Sequence, residues 1–250
     1  MSKIAVITGS SGGIGSALVQ LYLQDDYFVV GLDRCPSGNA DLHNFTELSP
    51  NLREFAKNES YRKKILNQIK ILLPGKIQTF VLINNAAEQV IKTVVDIDWQ
   101  DWENSLAVNT VAPFFLTQGL LEILISSRGH VINISSIHSK LTKVQFSCYA
   151  ASKSALESLT RSLALELSQK GVSVNAIAPA AISTEMLKHA FENAPHKLKE
   201  LESYHPSGII GSPEQLASFV KSITDQKGGF LTGSILDFNG GISGKLHDPS

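Results

Sequence analysis

The sequence predicts an α/β protein, a doubly wound parallel sheet of about seven strands with helices on both faces. Three observations predict it. Short runs rich in Val, Ile and Leu alternate with segments of helical period. The first run passes directly into a glycine-rich turn. Two later runs end in small polar residues, Asn84-Asn85 and Ser135-Ser136, where parallel strands of such a sheet meet the ligand crevice.

The elements follow in order. Residues 4–8, 28–33, 79–84, 130–135, 172–178 and 235–238 are apolar runs of strand length, without the alternation of a half-exposed strand, so they fit strands buried on both faces. Leu156, Leu159, Leu163 and Leu167 recur at spacings of three and four and form one apolar stripe of a helix. Ser212-Pro213-Glu214-Gln215 reads as a helix start, with a capping Ser, Pro at the first position and Gln three residues after the cap. The stretch 179–211 carries Pro195 and Pro206 and no strand signal. A segment of that length in a compact domain is expected to be a substrate lid, at about 180–211. With no linker, repeat or low-complexity tract, residues 1–250 are expected to form a single dinucleotide-binding domain.

Composition narrows the function classes. Of 250 residues, 43% are hydrophobic, enough for a sizeable core, and the formal net charge is -1. Bulk charge therefore draws the chain neither to nucleic acid nor to an anionic membrane. No run of 18 apolar residues is present, so no spanning helix is expected. The N-terminal apolar run is short and enters a glycine turn, which reads as a strand rather than a signal peptide. Two cysteines, Cys35 and Cys148, are too few for a disulfide framework. The expected location is the cytoplasm.

The turn is Gly9-Ser10-Ser11-Gly12-Gly13-Ile14-Gly15. Its glycines let the backbone turn tightly and approach a pyrophosphate, and the following helix N-terminus offers free N–H groups. The spacing Gly9-xxx-Gly13-x-Gly15 differs from the common G-x-G-x-x-G fingerprint. Asp33 closes the second strand, where a carboxylate accepts hydrogen bonds from ribose hydroxyls and repels a 2′-phosphate. NAD is therefore the expected cofactor, although Arg34 is able to receive that phosphate. Asp41 and Leu42 are candidates for the adenine side.

Tyr149 and Lys153 are four residues apart on a helical pattern and so share a face. A free Tyr has a pKa near 10 (about 10), and a neighbouring ammonium favours the phenolate. Such a pair can serve as acid and base for an alcohol or carbonyl. Ser136 lies thirteen residues before Tyr149, and Asn109 interrupts an otherwise apolar helix.

Together, Thr8-Gly9-xxx-Gly13-x-Gly15, Asn84-Asn85-Ala86-Ala87, Asn109, Ser136, Tyr149-xxx-Lys153 and Asn175-Ala-Ile-Ala-Pro179 resemble the short-chain dehydrogenase/reductase family, in order and from Ile4 to about Gly241. The resemblance implies a Rossmann-type fold. It implies that Tyr149 is the acid/base, that Ser136 hydrogen-bonds the reacting oxygen, that Lys153 holds the nicotinamide ribose and tunes Tyr149, and that Asn109 supports a water in the proton relay. It sets the Asn84–Ala86 segment along the adenine-side ribose, counts Asn85, Ala86 and Ala87 among the cofactor contacts, and puts Pro179, Ala180, Ile182 and Thr184 at the nicotinamide end. It also implies a homotetramer or homodimer through the helices around 102–125 and 147–167. The family usually has Gly at the positions of Ala87 and Ala180, so the turn at Ala180 is expected to differ. The region 34–42 is short, so one helix is expected to be missing.

The substrate is the least legible part. His138 follows Ser136 closely, and the stretch resembles sugar and hydroxy-acid dehydrogenases of the family, which points to a small polar substrate touching Ser136, His138 and Tyr149. His189, His196 and His205 lack ligand spacing, and no metal is expected. Two other readings stand beside this one: an NADPH-dependent carbonyl reductase of lipid or secondary metabolism, and a non-catalytic NAD-binding regulator, against which the intact Ser, Tyr, Lys and Asn set argues.

Overall fold

The structure is a computed structural model that describes residues 2–35, 42–226 and 228–245. Seven strands form one sheet: β1 (Ser2–Thr8), β2 (Tyr27–Leu32), β3 (Phe45–Leu48), β4 (Ile77–Asn84), β5 (His130–Ile134), β6 (Ser173–Pro179) and β7 (Ile235–Phe238). Their order is β3-β2-β1-β4-β5-β6-β7, and every pairing is parallel. The chain winds outward in one direction from β1 and in the other from β4. The C-terminal ends of β1 and β4 therefore flank the point where the winding reverses, and a crevice opens there.

Side-chain alternation puts the central strands into two cores at once. On one face Ile4, Val6, Phe80, Leu82, Val131 and Val174 pack together; on the other Ala5, Ile7, Val81, Ile83 and Ile132 do so. The first face is covered by α3 (Glu59–Leu72), α5 (Ala112–Gly119), α6 (Leu121–Ser127) and α7 (Ser147–Leu167), and the second by α1 (Gly13–Gln24) and α10 (Pro213–Thr224). Between β4 and α5 lies α4 (Trp99–Leu106), and α2 (Leu52–Lys57) precedes α3. The leucine stripe of α7 turns Leu156, Leu163 and Leu167 inward, and α10 begins with the expected reciprocal cap, Ser212 Oγ accepting from Gln215 N and Gln215 Oε1 accepting from Ser212 N.

The strand that the sequence pattern hid is β3. Its four residues, Phe-Thr-Glu-Leu, lie at an edge of the sheet, with Phe45 buried and the other three only partly so, and Thr46 and Glu47 interrupt the apolar run that marks the other six. The described residues between β2 and β3 form no helix, and residues 36–41 of the region expected to lack one lie outside the described residues. Within 180–211 the chain forms α8 (Glu185–Phe191) and α9 (Pro195–Tyr204), and the base of the segment is closed by a parallel bridge between Ile182 and Gly211. No single helix among the described residues is long and apolar enough to cross a membrane.

Candidate active site

The glycine turn is fixed by what surrounds it. Gly9 adopts φ +66°, and a Cβ there would stand 2.9 Å from the Ala86 Cα; a Cβ on Gly15 would stand 1.8 Å from the Gly9 carbonyl oxygen. Neither position admits a side chain. The Thr8 hydroxyl accepts the N–H groups of Asn85 and Ala86 at 2.9 Å each, and the Asn85 amide donates to the carbonyls of Thr8 and Gly9 at 3.1 Å each. Asn85 and Ala86 thus pin the ends of β1 and β4 together. Beyond the turn, α1 starts at Gly13 with no side-chain cap and no acid in its first turn. Its free N–H groups and positive end suit an anion, and the missing side chains leave room for a pyrophosphate.

An acidic edge closes the turn on the β2 side. Asp33, the residue after β2, accepts Ser11 N–H and Cys35 N–H at 3.0 Å each. The hydroxyls of Ser10 and Ser11 donate to Glu47 Oε1 at 2.9 and 3.0 Å. Glu47 escaped the sequence reading because β3 did; recognising that strand was the one available signal, since the β2–β3 register sets Glu47 opposite Gly31, under Ser10. Two carboxylates therefore contact this turn. Arg34 and Leu42 are exposed, and Asp41 lies outside the described residues.

Tyr149 and Lys153 lie on one face of α7, both buried. Burial pushes the Tyr149 phenol above its ordinary range, and a hydrogen bond with Ser136 pulls the other way. Burial also brings Lys153 down to about 7. Its Nζ donates to the Ile134 carbonyl at 2.7 Å and lies 5.7 Å from the Tyr149 ring centroid. The expected lowering of Tyr149 by a Lys153 ammonium does not appear: burial raises the phenol, and the opposing pull comes from Ser136. Ser136 follows β5, and its Oγ accepts His138 N–H at 3.2 Å. The His138 ring stacks on Phe146 with centroids 4.4 Å apart and meets Tyr149 edge-on at 5.9 Å. Burial, then the nearby Lys143, lowers the His138 pKa, which favours the neutral ring.

Asn109 sits in a π-helical segment, Ala107–Val111, between α4 and α5. Its Oδ1 accepts Glu88 N–H at 2.7 Å, and its amide donates to the Glu88 carbonyl and to Ser152 Oγ at 2.8 Å each. Ser152 Oγ in turn donates to the Tyr149 carbonyl at 2.8 Å. Both amide protons of Asn109 are committed, so its side chain ties the β4 loop to α7. At the other rim, Pro179 ends β6, Ala180 N donates to the Phe238 carbonyl at 3.0 Å, and Ile182 is buried where it bridges Gly211. Thr184 caps α8 through its hydroxyl, which accepts Leu187 N–H, and its side chain would meet a Cβ on Gly13 at 2.9 Å. The base of the 180–211 segment therefore touches the start of α1. Ala87 and Ala180 are not among the residues with positive φ, so Ala in place of Gly strains neither position. Both cysteines are free thiols, and among the described residues no group of three His, Cys, Asp or Glu side chains could hold a metal.

Residues 3–195 match the family described as short chain dehydrogenase. The chain is 30% identical to a 3-oxoacyl-acyl-carrier-protein reductase of Aquifex aeolicus, covering 96% of this chain and 97% of that one. Among solved structures it resembles 4-hydroxyisoleucine dehydrogenase complexed with NADH, at 26% identity and a TM-score of 0.87 over 98% of this chain and 100% of that one. It also resembles ElxO with NADP bound, at 25% identity and a TM-score of 0.86 over the same shares, 98% and 100%.

Proposed function

The chain belongs to the short-chain dehydrogenase/reductase family, and from that premise we propose that it transfers a hydride between NAD(H) and a small secondary alcohol or carbonyl compound, a sugar, polyol or hydroxy acid being the substrate class. The observation that carries the reading is Tyr149: a buried phenol at the C-terminal edge of the sheet, its pKa eased downward by Ser136, one helical turn from Lys153.

A nicotinamide dinucleotide, when bound, supplies or accepts the hydride. Gly9, Ser11, Gly12, Gly13, Ile14 and Gly15 would hold its pyrophosphate, Asp33 its adenosine ribose and Lys153 its nicotinamide ribose. Ala86, Pro179, Ala180, Ile182 and Thr184 would line the rest. The proton is the work of this chain's own residues. Tyr149 gives its phenolic proton to a carbonyl oxygen during reduction, or takes the hydroxyl proton during oxidation, while Ser136 donates to the same oxygen. Proton transfer by a positioned side chain contributes about 10²–10⁴-fold. His138, neutral and edge-on to Tyr149, would meet a polar substituent of the substrate. The segment 180–211 would act as the lid over a single-domain enzyme, assembled as a homotetramer or homodimer.

Asp33 and Glu47 favour NAD, since both would oppose a 2′-phosphate. The second reading, an NADPH-dependent carbonyl reductase, draws on the exposed Arg34 and on the likeness to an NADP-bound structure and to an acyl-carrier-protein reductase. The deciding experiment is titration with NADH and NADPH, followed by a panel of glycerol, 2,3-butanediol, aldoses and 4-hydroxyisoleucine with NAD, and of 2,3-butanedione and acetoacetyl thioesters with either reduced cofactor. Tighter NADPH binding with thioester reduction alone would replace the first reading by the second.

A further inference from the structure

Tyr149 and Lys153 are followed on the same face of α7 by a third titratable residue, Glu157, which is only 4% exposed. Neither cofactor binding nor proton transfer, as read above, uses it. A carboxylate costs several kcal/mol to bury unless its oxygens are hydrogen-bonded, and apolar side chains fill such a position without that cost. What occupies Glu157 is specific. Its Oε1 accepts the Ser135 hydroxyl at 3.0 Å and also the Ser139 hydroxyl. These two serines bracket Ser136. The Ser139 hydroxyl is shared with the Ser136 carbonyl at 2.8 Å, which also receives Ser139 N–H at 3.0 Å. A second tie from α7, Ser154 Oγ to the Ser139 carbonyl at 2.8 Å, lies on the far side of the same short turn. Among the described residues the Ser135 hydroxyl otherwise reaches only the Lys153 carbonyl, at 3.5 Å.

We infer that Glu157 is a positioning residue: by accepting from Ser135 and Ser139 on the two sides of Ser136, it locks the turn after β5 onto α7 and so holds the Ser136 hydroxyl at Tyr149. A single carboxylate oxygen accepts two hydroxyls at once, which an apolar side chain cannot do. The helix that carries Tyr149 and Lys153 thereby also sets the place of Ser136. This rests on the reading of Tyr149 as the acid/base and Ser136 as its partner.

The test compares Glu157→Leu, which removes the acceptor, with Glu157→Gln, which keeps an amide oxygen in its place. NADH titration gives the number of binding-competent sites, and kcat and KM are measured per site with whichever panel compound the wild type turns over fastest. Misplacement of a reacting group by about 1 Å can cost on the order of 100-fold. Glu157→Leu should therefore lose roughly 10- to 100-fold in kcat per site, with NADH affinity changed about twofold at most, and Glu157→Gln should recover most of the rate. A purely structural role would lower the number of NADH-binding sites and leave kcat per site alone, and that result overturns the inference. If Glu157→Leu does not fold, the Ser135→Ala/Ser139→Ala double variant should reproduce the kcat loss; a normal rate per site in it is equally fatal. A crystal structure of Glu157→Leu with NADH supplies a readout free of any substrate: Ser136 should be displaced from Tyr149, and an unmoved Ser136 rejects the inference. Failure of the wild type to bind NADH or NADPH at all would instead overturn the functional reading beneath it.

Discussion

Lys153 stands one helical turn beyond Tyr149 on α7, with its Nζ 5.7 Å from the Tyr149 ring centroid and hydrogen-bonded to the Ile134 carbonyl of β5. The amine is thus anchored to the sheet rather than to the phenol oxygen, and both groups have surrendered hydration. Burial favours the neutral form of each.

The first prediction concerns the phenol. Tyr149→Phe keeps the ring and its packing against His138 and Phe146, so the fold and NADH affinity should persist while kcat falls by about 10²–10⁴-fold. In the wild type, alcohol oxidation needs Tyr149 to accept a proton. With the phenol held high by burial, the oxidation rate should climb with pH and the reduction rate should fall. Steady-state rates in both directions across pH check the two trends.

Lys153 predicts a stability effect with a definite pH window. Burial brings its pKa from 10.5 to about 7 in the folded chain. Between those values the folded state binds fewer protons than the unfolded state, so stability rises with pH across the window. Below about pH 7 the full penalty of a buried ammonium applies. Lys153→Met should remove that pH dependence. Its stability relative to wild type should be greatest at acid pH and decline toward pH 10.5, even though turnover and cofactor affinity suffer. Denaturant unfolding at a series of pH values measures it; an unchanged slope would contradict a buried, depressed Lys153.

Cofactor choice is set at the acidic edge. Asp33→Ala should weaken NADH binding and narrow the gap to NADPH, with Arg34 left to receive the phosphate. Glu47→Gln keeps an oxygen acceptor for the Ser10 and Ser11 hydroxyls while removing a charge. It should leave NADH affinity nearly unchanged and improve NADPH severalfold, more so combined with Asp33→Ala. Fluorescence titration of the four proteins with each cofactor decides it. A wild type that prefers NADPH would remove the basis for both variants.

Gly15→Ala offers a sharper test of the turn. The added methyl would stand 1.8 Å from the Gly9 carbonyl oxygen, a contact that backbone displacement alone can relieve. NADH binding should drop below detection at millimolar cofactor, and the melting temperature should fall. Normal affinity in this variant would mean that the dinucleotide sits elsewhere.

Assembly is the last expectation. Light scattering at micromolar protein should give two or four times the 27.1 kDa chain mass. A species of 27.1 kDa alone would leave the exposed Trp99 and Leu165 without the role that subunit contacts would give them.

The sequence by itself determined the strand-and-helix alternation, the six apolar strands, the glycine turn and the Tyr149/Lys153 pair, because each is a local pattern: an unbroken apolar run, a missing set of side chains, a spacing of four. Tertiary structure decided what depends on residues far apart in the chain. β3 became a strand by pairing with β2 at an edge, where partial exposure erases the apolar signature. Glu47 entered the site through that pairing, and Asn85 and Asn109 spend their amides on the backbone and on Ser152. The charge states followed the same rule. Spacing put an amine beside a phenol, but only packing fixed how much water each had lost, and desolvation, which no linear pattern encodes, raises the phenol and lowers the amine.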